Sequence, residues 1–254
     1  MAPADGTQRF SSKVENYRKY RPTYPPEVID LLRHECGLTS ETIVADIAYG
    51  TGLFTKLLLE TGARVIGIEP NAPMRQAGEE YLAEYPNFRS IAGTAEATTL
   101  ADRSVDLVTA AQAAHWFDGA KAKQEFARII KPGQWVVLLW NKRSLDATPF
   151  ARAYEQVLLD YATDYKEIRH DTKEEAIARE FFGDKGKYKV FSWKQEFDYE
   201  GAEGRMLSSS YVPQADHPRY GAMLADLKKV FDKHQVGGQV LFDYETQVFY
   251  GQIS

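Results

Sequence analysis

The chain has 254 residues, of which 44% are hydrophobic and 26% charged, enough apolar side chains for a full globular core. Its formal net charge of −5 argues against a nucleic-acid-binding protein, which usually presents a basic face. The single cysteine, Cys36, excludes an internal disulfide and a cysteine-based metal site, and it favours a reducing compartment. No apolar run reaches the length of a membrane span. We therefore expect one cytoplasmic domain, monomeric or homodimeric, with no nucleic-acid partner, no membrane partner and no metal.

The first half of the chain alternates helical patterns with short apolar runs that are typical of buried strands. Strands that alternate with helices indicate a largely parallel sheet with right-handed crossovers. The helix at 119–130 is expected to stop at Pro132 and Gly133. In chain order the predicted elements are a helix at 27–36, a strand at 42–47, a helix at 51–60, a strand at 64–68, a helix at 73–84, strands at 88–92 and 105–110, a helix at 119–130 and a strand at 134–140.

The second half has a different pattern, with helices that are not regularly interleaved with strands. The sequence predicts helices at 149–161, 172–182 and 217–234, and strand-like runs at 188–199 and 239–250. We interpret the two strand-like runs as an antiparallel pair that closes one sheet edge. The helices between them would form a cap, inserted at 142–236, and residues 1–26 would form an N-terminal lid.

Two turns at the carboxyl ends of predicted strands are candidates for ligand binding, because ligands of parallel α/β sheets bind at that edge. The first turn carries Gly50 and Gly52, which allow the backbone to approach a ligand closely. The second ends at Glu69, an acidic residue placed to accept hydrogen bonds from ribose hydroxyls. Either feature alone is compatible with a turn that binds nothing. Together they favour a site for a nucleotide or nucleoside.

The dinucleotide NAD and S-adenosylmethionine are the rival ligands for such a turn. The dinucleotide motif requires a third glycine, and this chain has Thr55 at that position. Thr55 therefore counts against NAD.

Several stretches resemble class I S-adenosylmethionine-dependent methyltransferases in the expected order. Residues 46–52 are similar to the D-x-G-x-G-T-G motif of that family, and residues 65–71, 93–96, 104–108 and 126–140 are similar to its later motifs. Residues 17–25 and 111–118 resemble the type 11 and trans-aconitate-methyltransferase-like subgroup. The resemblance implies a Rossmann-like methyltransferase fold: a largely parallel seven-stranded sheet with an antiparallel C-terminal strand and a helical cap.

The resemblance also implies which residues bind S-adenosylmethionine. Glu69 would hold the ribose, Ala95 would lie against the adenine ring, and Glu96 or its backbone would face the adenine amine. The full predicted cofactor set is Asp46, Ala48, Tyr49, Gly50, Gly52, Glu69, Pro70, Met74, Ala95, Glu96 and Gln112.

A second predicted group would cover and line the acceptor pocket: Tyr17, Tyr20, Arg21 and Trp116. His115 is the candidate general base, because it should follow the carboxyl end of the fourth strand. Its alternative role is to orient that loop through hydrogen bonds. The reaction implied is methyl transfer to a small molecule, at oxygen, carbon or a carboxylate.

Two residues depart from the family's pattern. Ala48 stands where the family usually has glycine, and Tyr49 stands where it often has a small residue. A left-handed conformation at Ala48 would cost roughly 1 kcal/mol, and we expect the Tyr49 ring to lie beside the methionine moiety. These departures leave two alternatives open: a protein that binds S-adenosylmethionine without methyl transfer, and an NAD-dependent oxidoreductase.

Overall fold

The computed structural model describes residues 19–163, 165 and 173–253, and the chain order of its regular elements follows the predicted alternation. The helices are α1 Pro26–Cys36, α2 Leu53–Leu59, α3 Ala72–Tyr81, α4 Gly119–Ile129, α5 Pro149–Tyr161, α6 Lys173–Phe182, α7 Tyr199–Leu207 and α8 Tyr220–His234. The strands are β1 Ile43–Ile47, β2 Arg64–Ile68, β3 Phe88–Ile91, β4 Val105–Ala111, β5 Ile130–Arg143, β6 Lys187–Phe197 and β7 Val240–Gln252.

All seven strands form one sheet in the order β3-β2-β1-β4-β5-β7-β6. Strands β1 to β5 pair in parallel, whereas β7 is antiparallel to both β5 and β6. The predicted Rossmann-like fold with an antiparallel C-terminal strand is therefore confirmed. The chain runs outward from β1 to β3 and then returns to the other side of β1 with β4. This reversal places a topological switch point between β1 and β4, where α/β sheets bind ligands.

Three hydrophobic cores hold these elements together. The first packs α4 and α6 on one face of the sheet, and the second packs α1 and α2 on the other. Burial on both faces explains why β5 carries the continuous apolar run Val136–Trp140 rather than an alternating pattern. The third core joins α5, α7 and α8 to the far ends of β6 and β7, so the second half of the chain extends one end of the sheet.

The structure differs from the predicted elements in several bounds, including those of two helices and a strand, and it adds one helix. Helix α3 ends at Tyr81, and α4 ends at Ile129, three residues before the predicted stop at Pro132. β5 begins at once at Ile130, with a register shift against β4 that accommodates the left-handed Gly133. Helix α7 was not predicted, because the run before it continues the strand pattern. Asp198 ends that pattern by capping the new helix through the Gly201 N–H, at 2.8 Å.

None of the helices within the described ranges is both long and apolar enough to cross a membrane.

Candidate active site

The turn after β1 is built on left-handed backbone. Ala48, Gly50 and Gly52 have φ values of 53°, 61° and 87°. A side chain at Gly52 has no room, because a Cβ there would lie 2.7 Å from Leu82 Cδ1. Ala48 therefore adopts the left-handed conformation that favours glycine. This strain, expected from the alanine at a position where the family usually has glycine, costs roughly 1 kcal/mol.

Glu69 ties this turn to the turn after β2. One carboxylate oxygen accepts from the Gly50 N–H at 3.0 Å and the other from the Asn71 N–H at 2.8 Å. Burial raises the pKa of Glu69, and the two backbone donors oppose that rise in part. A carboxylate has further lone pairs, so the oxygens can accept additional hydrogen bonds. The predicted juxtaposition of Gly50 and Glu69 is therefore present in the structure.

Asp46 lies at the end of β1 and is 1% exposed. Its two carboxylate oxygens accept hydrogen bonds from the hydroxyls of Thr55 and Thr109, each at 2.7 Å. Burial raises the pKa of Asp46 to about 6, against the lowering effect of the two hydroxyls. Thr55, at the position where a dinucleotide site has glycine, therefore holds the Asp46 carboxylate in place. The sequence signal for it was a hydroxyl one helical turn beyond the glycines.

The Tyr49 ring packs into the core, whereas the sequence predicted that it would lie beside the methionine moiety. The ring fills the space that Gly67 and Gly78 leave by having no side chain, and it meets Phe88 edge-on at 5.5 Å. The phenol lies 2.9 Å from Ser90 Oγ and donates to the Arg75 carbonyl at 3.1 Å. Tyr49 is therefore mainly a core residue, with its backbone in the ligand turn.

A cavity of about 490 Å³, counted with its opening to solvent, lies over the switch point. Predicted residues that line it are Arg21, Asp46, Ala48, Tyr49, Gly50 and Gln112. The Thr51 hydroxyl also lines the cavity, and it is buried without a hydrogen-bond partner. An unsatisfied buried hydroxyl costs stability unless a ligand or water completes it. This orphaned donor, within a turn that carries Gly50 and Gly52, fits a polar ligand such as S-adenosylmethionine.

Gln112 forms the cavity wall on the β4 side. Its φ is 58°, a strained value for a residue other than glycine. Its backbone N–H donates to the Leu139 carbonyl at 2.8 Å and its side chain donates to the Asn141 carbonyl at 2.9 Å. Two strained residues, Ala48 and Gln112, thus face each other across the switch point, as is common at functional sites.

The segment before α1 covers this cavity. Arg21 donates to the Ser208 carbonyl at 3.0 Å, at the end of α7. Tyr20 places its ring on Gly204 of α7 and donates from its hydroxyl to Glu200 at 2.7 Å. The Thr23 carbonyl accepts from the Asn141 side chain at 2.8 Å. Residues 19–24 therefore bridge α7 and the sheet edge, whereas Tyr17 lies outside the described residues.

The remaining predicted cofactor residues lie around the turns after β2 and β3, outside the lining of the cavity. Met74 is buried and its Cε would contact a Cβ at Gly50. Pro70 is half-buried beside it. Ala95 is 4% exposed and belongs to the core beneath α4. Glu96 accepts a hydrogen bond from the Asp118 N–H at 2.9 Å, so its carboxylate positions the start of α4.

His115 lies in a short 3₁₀ turn after β4 and is not among the residues that line the cavity. The Trp140 indole N–H donates to His115 Nδ1 at 3.3 Å. An indole N–H can only donate, so His115 Nδ1 is the acceptor in this contact. Trp116, next in the turn, is 42% exposed. The geometry holds His115 against the buried Trp140.

Comparison with known proteins bears on what this site does. Residues 45–138 match a family described as a methyltransferase domain. An uncharacterized methyltransferase-like protein of Schizosaccharomyces pombe is 28% identical over 253 residues, covering 98% of this chain and 97% of that protein. An uncharacterized methyltransferase of Mycobacterium tuberculosis is 40% identical over 139 residues, which are 55% of this chain and 54% of the relative. That match spans about half the length of the mycobacterial protein.

Solved structures share the fold at low identity. A protein provisionally named as a type II methyltransferase, from Anaeromyxobacter dehalogenans, has a TM-score of 0.70 at 20% identity, covering 92% of this chain and 98% of that one. The YcgJ protein of Bacillus subtilis has a TM-score of 0.54 at 20% identity, covering 89% and 97%. Fold, matched domain and relatives agree with the motifs at the switch point, and none favours an oxidoreductase. Residues 45–138 form a methyltransferase domain, the chain is an S-adenosylmethionine-dependent methyltransferase, and S-adenosylmethionine is its cofactor.

Proposed function

We propose that the chain methylates a small-molecule acceptor, at oxygen, carbon or a carboxylate, within the space between the glycine turn and the residues that cover it. The observation that carries this proposal is the cover: Arg21 both lines the cavity and donates to the carbonyl of Ser208, the residue that follows α7. A cavity bridged in this way suits a compact acceptor better than a polymer strand, and the net charge of −5 agrees. The segment 142–236 would be the cap that shapes the acceptor pocket.

For the cofactor, we propose that the turn at Ala48–Gly52 holds the methionine moiety and Glu69 holds the ribose. The Thr51 hydroxyl, which has no partner, lies on the cavity side, and the buried Asp46 also lines the cavity. When bound, S-adenosylmethionine supplies an electrophilic methyl group on a positively charged sulfur. The adenine site at Ala95 and Glu96 and the membership of the type 11 and trans-aconitate-methyltransferase-like subgroup stay predictions.

The chain's own residues act mainly by positioning and by excluding water, which are the main contributions a protein makes to a direct displacement. Arg21 and Tyr20 close one side, and Gln112 fixes the sheet edge below. We assign His115 to orienting the loop rather than to proton removal, because its Nδ1 already accepts from Trp140. An acceptor that must lose a proton would then need another base or an acidic group of its own.

The test begins with cofactor binding measured by calorimetry. Glu69→Ala should weaken binding of the demethylated cofactor by about 1.5–3 kcal/mol, the value for hydrogen bonds to a charged group. Glu69→Gln keeps the size of the side chain and should recover part of that loss. Glu84→Gln, at an exposed site beyond α3, is the control.

A screen with labelled methyl groups then tests transfer to small acceptors. Unchanged cofactor affinity in a folded Glu69→Ala variant would remove the ribose assignment. Labelling of macromolecules but of no small molecule would overturn the proposed acceptor class.

A further inference from the structure

A second group of buried polar side chains lies beyond the carboxyl end of β5, between α5, α7 and β7. We call it the arginine–tyrosine cluster, and its members are Arg143, Tyr154, Glu155, Tyr165, Arg205 and Tyr244. Arg143 ends β5 and lies opposite Tyr244 in the pairing with β7. Its guanidinium lies over the Tyr154 ring at 4.9 Å. The cluster was not anticipated from the sequence, because its members are widely spaced along the chain.

The positive charges of this cluster exceed the negative ones. Arg143 pairs with Glu155 at 2.5 Å, and Tyr165 donates to the same carboxylate oxygen at 2.8 Å. Arg205 is 7% exposed and has no carboxylate partner among the described residues. It donates to the Tyr244 hydroxyl at 3.0 Å and to Ser209 Oγ at 3.3 Å. Among the described residues, the cluster therefore contains two guanidiniums and a single carboxylate, which pairs with Arg143.

Neutral phenols cannot supply the missing negative charge. Burial raises the pKa of Tyr154 and of Tyr165, so both remain protonated at neutral pH. In addition, Nη1 of Arg143 is buried without a hydrogen-bond partner, although the Arg143 side chain is only 9% exposed. A buried cation and a buried donor without partners are both costly. Each would be satisfied by an anion that enters the cluster.

Two chains of contacts link the cluster to residues that line the cavity over the switch point. Gln112, in the cavity wall, donates to the Asn141 carbonyl, and Arg143 lies two residues further along β5, roughly 7 Å away. On the other side, Arg21 lines the cavity and donates to Ser208, the neighbour of the Ser209 that contacts Arg205. A small molecule could thus reach from the cavity to the two guanidiniums.

We propose that the arginine–tyrosine cluster anchors an acceptor that carries an oxyanion, either a carboxylate or a phosphate. This inference rests on the proposed function, since it assumes a small acceptor beside the cofactor. Arg205 and the Nη1 of Arg143 would donate to the anion, because guanidiniums match both oxyanions geometrically. The anchored group is distinct from the methylated one, since two guanidiniums withdraw electron density from it and weaken it as a nucleophile.

The test uses simple anions as probes, with calorimetry on the full chain. Benzoate tests the carboxylate, phenyl phosphate tests the phosphate, and benzyl alcohol is the uncharged control. We expect one of the two anions to bind saturably and the alcohol to bind at least tenfold more weakly. Arg205→Met should reduce binding of that anion at least tenfold. Arg33→Met, an exposed arginine on α1, should leave it unchanged.

Because removal of a buried arginine can prevent folding, two further measurements keep the test decisive. Tyr244→Phe keeps the ring and both charges but removes the hydroxyl that orients Arg205, and it should weaken anion binding severalfold. In the wild type, the arginine side-chain Nε–H signals of Arg143 and Arg205 should shift when the bound anion is added. Absent shifts, or equal binding of anion and alcohol, would overturn the proposal.

Binding of the demethylated cofactor is measured separately in the same proteins. Anion binding without cofactor binding would overturn the cofactor assignment and leave the anchor intact. Cofactor binding without anion binding would overturn the anchor alone.

Discussion

Ala48 has a backbone conformation that the turn after β1 requires but that its own side chain disfavours. The backbone must enter the left-handed region there for Gly50 and Gly52 to follow it, yet the alanine methyl group disfavours that region. The strain is retained because the turn is held from outside, by the hydrogen bond from Gly50 to Glu69. Strain of this kind is commonly kept where a backbone must present itself to a ligand.

Ala48→Gly should raise the free energy of unfolding by about 1 kcal/mol, because glycine adopts the left-handed conformation without the steric cost. Chemical denaturation measures the change. Ala127→Gly, on the exposed side of α4, is the matched control and should lose about 0.5–1 kcal/mol. Equal losses in the two variants would show that the turn relaxes around Ala48 without strain.

The second prediction at the residue scale concerns Asp46, whose pKa burial raises from 3.8 to about 6. An acid with a raised pKa in the folded state contributes stability that is fully present below about pH 4 and is lost as the pH rises through about 6. The free energy of unfolding of the wild type, minus that of Asp46→Asn, should therefore fall between pH 4 and pH 7 by up to about 3 kcal/mol.

Denaturation at several pH values gives this difference, with the exposed Asp146→Asn as the baseline variant. A difference that rises with pH would mean that the Thr55 and Thr109 hydroxyls outweigh burial.

At the scale of elements, the strands that build the site are those whose patterns are least ambiguous. β1, β2 and β4 are short apolar runs followed by turn residues, and such runs are buried on both faces of a parallel sheet. Their order and the glycine turn could therefore be predicted. Helix α7 could not, because the strand-like pattern ahead of it continues up to its capping residue, Asp198. Its end at Ser208 is nevertheless what Arg21 binds.

Side-chain directions within the site were harder to predict than its position. The Tyr49 ring turns into the core because Gly67 and Gly78, on two other elements, leave room for it. The Glu96 carboxylate accepts a hydrogen bond from the Asp118 N–H, and His115 Nδ1 accepts one from the Trp140 indole N–H. Each of these outcomes depends on a partner distant in sequence, which no local pattern specifies. The same reason explains why the arginine–tyrosine cluster was missed.

The element after β4 gives the third prediction. If His115 orients this 3₁₀ turn, His115→Ala should lower turnover less than about tenfold and should also lower the thermal midpoint. Removal of a general base would instead cost about 10²–10⁴ in turnover with stability retained. Trp140→Phe keeps a ring but removes the indole N–H, so it should reproduce the effect of His115→Ala. Turnover is measured on an acceptor found in the labelled-methyl screen.

At the scale of the whole molecule, the three cores position different parts of the site. The two cores on the faces of the sheet fix the carboxyl ends of β1 and β4. The third core holds α7 over those ends, and residues 19–24 join it to the sheet through Ser208 and Asn141. The cover of the cavity is thus tethered at both sides by hydrogen bonds, which can break and re-form while the cores remain intact.

The last prediction tests this cover as a lid, the role expected of the segment from its sequence. Gly204→Ala should displace the Tyr20 ring, because a Cβ at that position would overlap it. Cofactor affinity should fall, and hydrogen exchange at residues 20–24, which should slow on cofactor binding in the wild type, should remain fast in the variant. Gly221→Ala on α8 is the matched control, since a Cβ there meets nothing within 4 Å. Cofactor-dependent protection that persists in Gly204→Ala would show that the segment closes without Tyr20. Protection that is equal with and without cofactor in the wild type would show a fixed cover rather than a lid.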